Sequence, residues 1–197
     1  MSEQDLRERA FHRVMKMPGD APVLDLGQRR NISFIRELPW AIGRYNEKRR
    51  NMYLAPQYEG RRNIHMGIDL WTRAGAPVYA FGRGEIAYLA DHDQQGNYGP
   101  TIVTRHRVED APLWALHGHL SRGSLERWKP GDDVGRGALL ARLGTEEENG
   151  GWVPHLHFQI SREDPGEADM PGVVAEEEIS EALRRYPDPR IILGEIY

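Results

Sequence analysis

Cysteine is absent from the 197-residue sequence. Disulfide bonds and thiolate ligands are therefore excluded, and any zinc site must be built from histidine and carboxylate side chains. The sequence also lacks an apolar run of the roughly 20 residues that a membrane-spanning helix needs. Its first segment, Met1–Met17, carries acids and bases throughout and has no apolar stretch typical of a signal peptide. We therefore expect a cytoplasmic protein without a membrane partner, and a periplasmic or secreted one only if a leader was removed.

The sequence also lacks a strong excess of charge of one sign, since its net charge is only -4. This charge indicates neither a nucleic-acid nor a membrane partner. Glycine and proline are frequent, with 21 and 13 residues, which favours many turns between short strands. We predict one mostly β domain over residues 1–197, with a short helix near each end. The apolar periodicity predicts these helices over Ser2–Met17 and Glu176–Tyr186.

The stretch Trp152–Ile160 has the alternating pattern of a β-strand. Successive side chains of a strand point to opposite faces, so His155 and His157 are expected on one face. Leu156 and Phe158 then point into a core. Two imidazoles on one face suit a metal site, although a surface location is an equally good interpretation of this pair alone.

A second strand is predicted over Asn63–Leu70, where apolar and other residues alternate strictly. His65 and Asp69 then share a face, with Gly67 between them. A residue without a side chain at that position leaves room for an ion. The alternative is the polar outer face of a half-buried strand, but that alternative does not require glycine in the middle.

A third strand is predicted over Leu113–Leu120, and the same alternation puts His117 and His119 on one face. Together, the three predicted strands carry five of the eight histidines of the sequence. We interpret His92 and His106, which stand alone, as ordinary surface residues.

Three further segments receive structural interpretations. Arg44–Arg62 has six basic residues against two acids, and a solvated loop is favoured over a nucleic-acid site because no helical or strand pattern orients the charges. Glu163–Glu181 has eight acids and no base, and we interpret it as part of a structural appendage. Ile191–Leu193 is predicted to dock as a last strand.

Hydrolytic zinc typically has three protein ligands and one open position for water. His65, Asp69 and one of the paired histidines can supply these ligands, and alternation alone does not distinguish His155 from His157. The remaining imidazoles could then take a proton from water or donate a hydrogen bond to a developing oxyanion.

Three motifs occur in order: His-x-Gly-x-Asp from His65, Gly-His-Leu-Ser from Gly118, and His-Leu-His-Phe from His155. In this arrangement the chain resembles the lysostaphin-type (LytM-like) zinc metallopeptidases over about residues 60–160. The resemblance implies a compact antiparallel β domain with a groove, built as a duplicated hybrid motif. It implies a peptidase-like core at about 60–162, an N-terminal extension over 1–59 and a C-terminal appendage over 163–197.

Carried over residue by residue, the resemblance implies one Zn²⁺ per chain. The implied ligands are His65, Asp69 and His157, and the implied catalytic pair is His119 and His155. His117 stands where the family usually has an aromatic residue, so it is a possible groove residue, with a packed or surface histidine as the alternative. Tyr58 is a second possible groove residue.

The implied reaction is hydrolysis of a peptide or amide bond by metal-activated water, on a peptidoglycan-type peptide. The segments Gly43–Glu47, Asn149–Trp152 and Pro187–Pro189 resemble a narrower branch, found between a kinase-like and an aminotransferase domain in bacterial fusion proteins. That branch implies a small cytosolic peptide or amide instead. The alternative to an enzyme is a non-catalytic zinc-binding regulatory module on the same scaffold.

Overall fold

A computed structural model describes residues 11–27 and 33–197, and β-strands dominate them. The strands are β1 (Val23–Leu24), β2 (Ala41–Gly43), β3 (Glu47–Lys48), β4 (Ile64–His65), β5 (Ile68–Trp71), β6 (Pro77–Tyr79), β7 (Gly84–His92), β8 (Gly99–Val108), β9 (Ala111–Gly118), β10 (Asp133–Val134), β11 (Leu139–Arg142), β12 (His155–Ser161) and β13 (Val173–Val174). The α-helices of the described chain are α1 (Arg122–Leu125), α2 (Ile179–Arg185) and α3 (Arg190–Leu193). Single 3-10 turns cover Ser33–Glu37, Pro56–Tyr58 and Glu176–Glu178.

Eight strands form the main sheet in the order β1-β2-β5-β12-β9-β8-β7-β10, and all neighbours except β1 and β2 are antiparallel. β8 and β9 form a hairpin whose two turn residues, Glu109 and Asp110, have φ values of 48° and 66°. Positive φ at both positions matches the right-handed twist of the flanking strands. The predicted mostly β, antiparallel fold is confirmed.

Strand β12 lies in the middle of the main sheet, between β5 and β9. Leu156 and Phe158 are fully buried in the principal core, as their alternation predicts. The strand begins at His155, and Trp152–Pro154 forms the loop before it. Because β12 is paired on both sides, the face opposite the core is held in a fixed register with its neighbours.

The single strand predicted over Asn63–Leu70 is wrong, because the chain forms β4 and β5 in two different sheets. The break falls at Gly67. A Cβ atom there would lie only 2.5 Å from Cε1 of His157, so a side chain at this position is sterically excluded. The missing side chain of Gly67 thus makes room for the His157 ring itself, and the glycine also ends the strand alternation.

The N-terminal helix predicted over Ser2–Met17 lies partly outside the described residues, which begin at residue 11. Residues 11–17 are not helical. The backbone amide of His12 donates to the Phe81 carbonyl at 2.7 Å, and the Tyr79 amide donates to the Val14 carbonyl at 2.8 Å. These bonds and the burial of Val14 hold the segment extended against β6, which outweighs its local helical pattern.

The C-terminal helix is confirmed as the 3-10 turn Glu176–Glu178 followed by α2. The strand predicted over Ile191–Leu193 is wrong, since these residues belong to α3. The Asp188 carboxylate accepts a hydrogen bond from the Arg190 amide at 2.9 Å, which favours a helical start. Among the described residues, no helix combines the length and the apolar character needed to cross a membrane.

The surface interpretation of His106 is also wrong. Its side chain is buried, its ring centroid lies 4.0 Å from that of Phe81, and its ring nitrogens contact the Arg83 carbonyl and the Thr104 hydroxyl. Burial lowers the pKa of His106 to about 4. His92 is half-buried, and its Nε2 donates to the Ala168 carbonyl at 2.9 Å.

Acid should destabilise the fold through His106. Its folded-state pKa lies below the unfolded value of about 6.5, so the unfolded chain binds the proton first as the pH falls. His106→Asn keeps a donor toward the Arg83 carbonyl but has no titrating ring. We therefore expect this variant to lack the part of the acid-induced fall in the free energy of unfolding that His106 causes. The free energy of unfolding of the wild type, minus that of His106→Asn, should fall by about 3 kcal/mol between about pH 7 and pH 4 when both are measured by urea unfolding. Parallel stability curves for the two proteins would contradict the assignment.

Candidate metal centre

Three strands bring His65, Asp69 and His157 together. His157 is directly opposite Asp69 in the β5–β12 pair. His65 is the last residue of β4, the strand that precedes β5 along the chain. The Asp69 Oδ1 atom lies 3.2 Å from His65 Nε2 and 3.1 Å from His157 Nδ1, and these two nitrogens are 3.1 Å apart. All three residues are buried, so three potential ligand atoms converge on one point away from bulk water.

In His65 and His157, the ring nitrogen that faces away from Asp69, here called the outer nitrogen, has a hydrogen-bond acceptor as its partner. This partner determines which ring nitrogen carries the proton. His65 Nδ1 faces the Arg44 carbonyl at 2.8 Å, and a carbonyl oxygen only accepts. His157 Nε2 faces Gln159 Oε1 at 3.0 Å, while the Gln159 amide nitrogen donates to the Pro171 carbonyl. Both outer nitrogens therefore carry the proton, and a neutral imidazole then presents a lone pair at its other nitrogen.

The charge states agree with this arrangement. Burial, together with the nearby Arg49, lowers the pKa of His65 to about 4, so the ring is neutral near pH 7. Burial opposes ionisation of Asp69, but the positive charge of Arg49 at 2.6 Å favours it, and the pKa of Asp69 lies well below its usual range. The centre thus combines a neutral His65 imidazole with an ionised Asp69 carboxylate.

This donor set fits a divalent cation. Two imidazole nitrogens and a carboxylate oxygen lie 3.1–3.2 Å from one another, and all three are atom types that ligate zinc. Tetrahedral zinc at its usual bond lengths keeps its ligand atoms about 3.4 Å apart, which is close to the spacing here. The second hydrogen bond on each histidine is also typical of ligating imidazoles.

Arg49 is the residue of this site that the sequence interpretation missed. The loop Arg44–Arg62 was expected to be solvated, but the Arg49 side chain is completely buried. Its Nη1 donates to Asp69 Oδ2 at 2.6 Å, and its Nε donates to Glu47 Oε2 at 2.8 Å. Arg49 therefore occupies the second carboxylate oxygen of Asp69 and leaves Oδ1 to face the histidines.

His119 and His155 lie beside the centre, with ring centroids 4.2 Å apart. His155 Nδ1 donates to the Val153 carbonyl at 2.7 Å, and His119 Nδ1 donates to the Asn149 carbonyl at 2.9 Å. Both rings therefore present an Nε2 lone pair, and His155 Nε2 lies 3.7 Å from Asp69 Oδ1. Burial lowers the pKa of both histidines, so both are neutral proton acceptors near pH 7.

His117 does not share this face, and its interpretation as a possible groove residue is wrong. It pairs with Phe158 in the β9–β12 register and packs against that ring on the core side. His119 follows the end of β9 and has a φ of 62°, in the left-handed region. This backbone turn breaks the alternation and directs His119 to the opposite side. His117 is the packed histidine named as the alternative.

The five residues His65, Asp69, His119, His155 and His157 all line one pocket of about 210 Å³. The loop over Met52–Tyr58 forms part of its rim, and Tyr58, the second possible groove residue, is among the lining residues. The Tyr58 hydroxyl donates to the Gly96 carbonyl, which ties this rim to the loop between β7 and β8. Burial raises the pKa of Tyr58 to about 12, so it is a neutral donor.

The C-terminal appendage also forms part of the pocket, which its sequence did not predict. Strand β13 pairs with β4, and the Met66 amide donates to the Gly172 carbonyl at 2.9 Å. Residues 169–173 consequently line the pocket beside His65. The acidic tail is thus a wall of the site and not only a structural appendage.

Comparison with known proteins agrees with this geometry. A family model described as peptidase family M23 matches residues 63–169, more than half of the chain. The fold and the histidine–aspartate centre define a metallopeptidase-like domain. The chain belongs to peptidase family M23, and the predicted lysostaphin-type resemblance is confirmed.

Peptidoglycan DD-endopeptidase ShyB of Vibrio cholerae is 34% identical over 101 residues, which are 51% of this chain and 21% of ShyB. The match therefore spans about a fifth of that relative. A zinc-containing peptidase from Vibrio cholerae is 30% identical, with a TM-score of 0.46, covering 59% of this chain and 31% of that one. A catalytic-domain variant of the M23 protein EnpA from Enterococcus faecalis is 25% identical, with a TM-score of 0.44, covering 58% and 78%.

Removing the charge of Arg49 should leave the Asp69 carboxylate buried without its cation. We expect Arg49→Met to lower the free energy of unfolding of chelator-treated protein by about 3 kcal/mol or more in urea titrations. Arg61→Met is the matched control, because Arg61 is 57% exposed and its ion pairs lie on the surface. That control should cost less than about 1 kcal/mol. Equal losses in the two variants would show that Arg49 has no special electrostatic role.

Proposed function

We propose that this chain is a zinc-dependent peptidase that hydrolyses a peptide bond with water. The observation that carries the proposal is the convergence of three potential ligand atoms next to two neutral imidazoles in one pocket. Membership of peptidase family M23 supports the same reaction class. Each of the five side chains then has a chemical role without any further group from the protein.

His65 Nε2, His157 Nδ1 and Asp69 Oδ1 are the proposed ligands of one zinc ion per chain. Nitrogen and carboxylate donors suit zinc, and the absence of cysteine leaves no thiolate alternative. When bound, zinc supplies a Lewis acid that lowers the pKa of water in its open position toward neutrality. The Asp69 carboxylate would neutralise one of the two positive charges of the zinc ion. Arg49 keeps this carboxylate ionised and oriented.

His119 and His155 are the proposed catalytic pair. Each presents an Nε2 lone pair, so either can accept the proton of the attacking water. Asp69, 3.7 Å from His155 Nε2, stabilises the imidazolium that forms there. A protonated ring can then donate to the developing oxyanion or return the proton to the leaving amine.

The proposed substrate is a peptide of the peptidoglycan type. The relative ShyB, named as a peptidoglycan DD-endopeptidase, supports this substrate class for the matched domain. A mass-spectrometric screen that offers purified muropeptides and small dipeptides to the zinc-loaded chain tests it. Cleavage confined to the dipeptides would reject the peptidoglycan class and retain the peptidase.

The chain should bind one zinc ion through His65, Asp69 and His157. At a free zinc concentration about 100 times the Kd, the free energy of unfolding should rise by roughly 3 kcal/mol. We expect His65→Ala to lose this increase, while His92→Ala, outside the cluster, keeps it. Metal analysis combined with urea unfolding measures both effects. A folded protein that takes up no zinc on reconstitution would contradict the proposal.

His119→Ala and His155→Ala should lower kcat/KM by about 10²–10⁴ because each removes a proton acceptor but no ligand. Zinc content should stay at one ion per chain in both variants. Parallel metal analysis and turnover assays on the same preparations separate the two effects. Activity near the wild-type level in either variant would remove that histidine from the mechanism, and loss of zinc would instead make it a ligand.

A further inference from the structure

The pocket wall formed by residues 168–173, here called the acidic wall, is rigidly attached on both sides. The Ala168 carbonyl accepts from His92 Nε2, and the Met170 carbonyl accepts from the Tyr98 hydroxyl, each at 2.9 Å. Beyond Gly172, which is bonded to Met66, the chain enters β13. The backbone of this wall is therefore held in place relative to the centre.

Asp169 is the charged residue of the acidic wall. It lines the pocket and is half-buried. Burial raises the pKa of Asp169, and the positive influence of His92 and Arg62 only partly offsets this. An ion pair with a cation of the protein would be expected to outweigh burial.

The cations of the pocket have other partners. Arg49 is bonded to Asp69 and Glu47, while the Nε atom of Arg62 lies 3.9 Å from Glu178. Among the described residues, no lysine, arginine or histidine nitrogen lies within 4.0 Å of the Asp169 carboxylate. Asp169 thus supplies a negative charge to the pocket that no described side chain neutralises by direct contact.

Asp169 is also close to the metal centre. The Tyr98 hydroxyl that donates to Met170, the next residue, lies 3.4 Å from His157 Nε2. One tyrosine hydroxyl therefore separates the acidic wall from a proposed ligand. Asp169 and the five residues of the centre line the same pocket, so one extended substrate can contact both.

We infer that Asp169 binds the ammonium group of the substrate, so that this pocket prefers peptides with a free amine near the scissile bond. This inference rests on the proposed peptidase function and names the chemistry of its substrate. An ammonium group is a strong donor to a carboxylate, and partial burial strengthens that interaction.

Glycylglycine hydroxamate and its N-acetyl derivative test this preference without knowledge of the scissile bond. The hydroxamate group binds the metal in both compounds, and only the first has a free ammonium group. We expect the free-amine compound to bind the zinc-loaded chain about 10-fold more tightly in isothermal titration calorimetry. Asp169→Asn should reduce this ratio to below about 2-fold, while the affinity for the acetylated compound stays unchanged.

Glu167→Gln is the matched control, because Glu167 is an exposed neighbour that carries the same charge and does not line the pocket. It should keep the 10-fold ratio of the wild type. Equal affinity of the two compounds for wild type, or an unchanged ratio in Asp169→Asn, would overturn the inference and leave the peptidase intact. If neither compound binds in a zinc-dependent manner, the proposed metal centre fails, and the inference fails with it.

Discussion

The two oxygens of one buried carboxylate have different partners, and the site depends on this division. Asp69 Oδ2 is bonded to Arg49, whereas Oδ1 faces His65 and His157. An ionised carboxylate is stable in the interior only when charge and hydrogen bonds compensate its lost hydration. Arg49 supplies the charge, and Glu47 in turn supports Arg49. The convergence of the ligand atoms on β5 therefore depends on the packing of the loop before β4.

Strand alternation accounts for the parts of the site that could be predicted from the sequence. His155 and His157 share a face with Leu156 and Phe158 behind them because β12 is regular and paired on both sides. The same rule failed at His117 and His119, where a left-handed residue follows the strand end. Periodicity predicts side-chain direction only while the backbone stays extended, and no local pattern marks where it turns.

Arg49 and Asp169, which also line the pocket, lie in segments without helical or strand periodicity. Their place in the pocket could therefore not be predicted from the sequence. Arg49 is one of six bases in its loop, and only the tertiary contact with Asp69 distinguishes it from the exposed Arg61. Asp169 likewise belongs to an acidic tail whose pairing with β4 spans more than a hundred residues of sequence. Long-range pairing decides which charge in such a segment is buried beside the centre and which is solvated.

The three donor atoms and the two neutral imidazoles form one functional unit only if a cation lies where the lone pairs meet. Anomalous diffraction at the zinc absorption edge, from crystals of the zinc-loaded protein, tests this most directly. A single strong peak is expected about 2.0–2.2 Å from His65 Nε2, His157 Nδ1 and Asp69 Oδ1. A peak at other residues, or none between these three atoms at full zinc occupancy, would contradict the account.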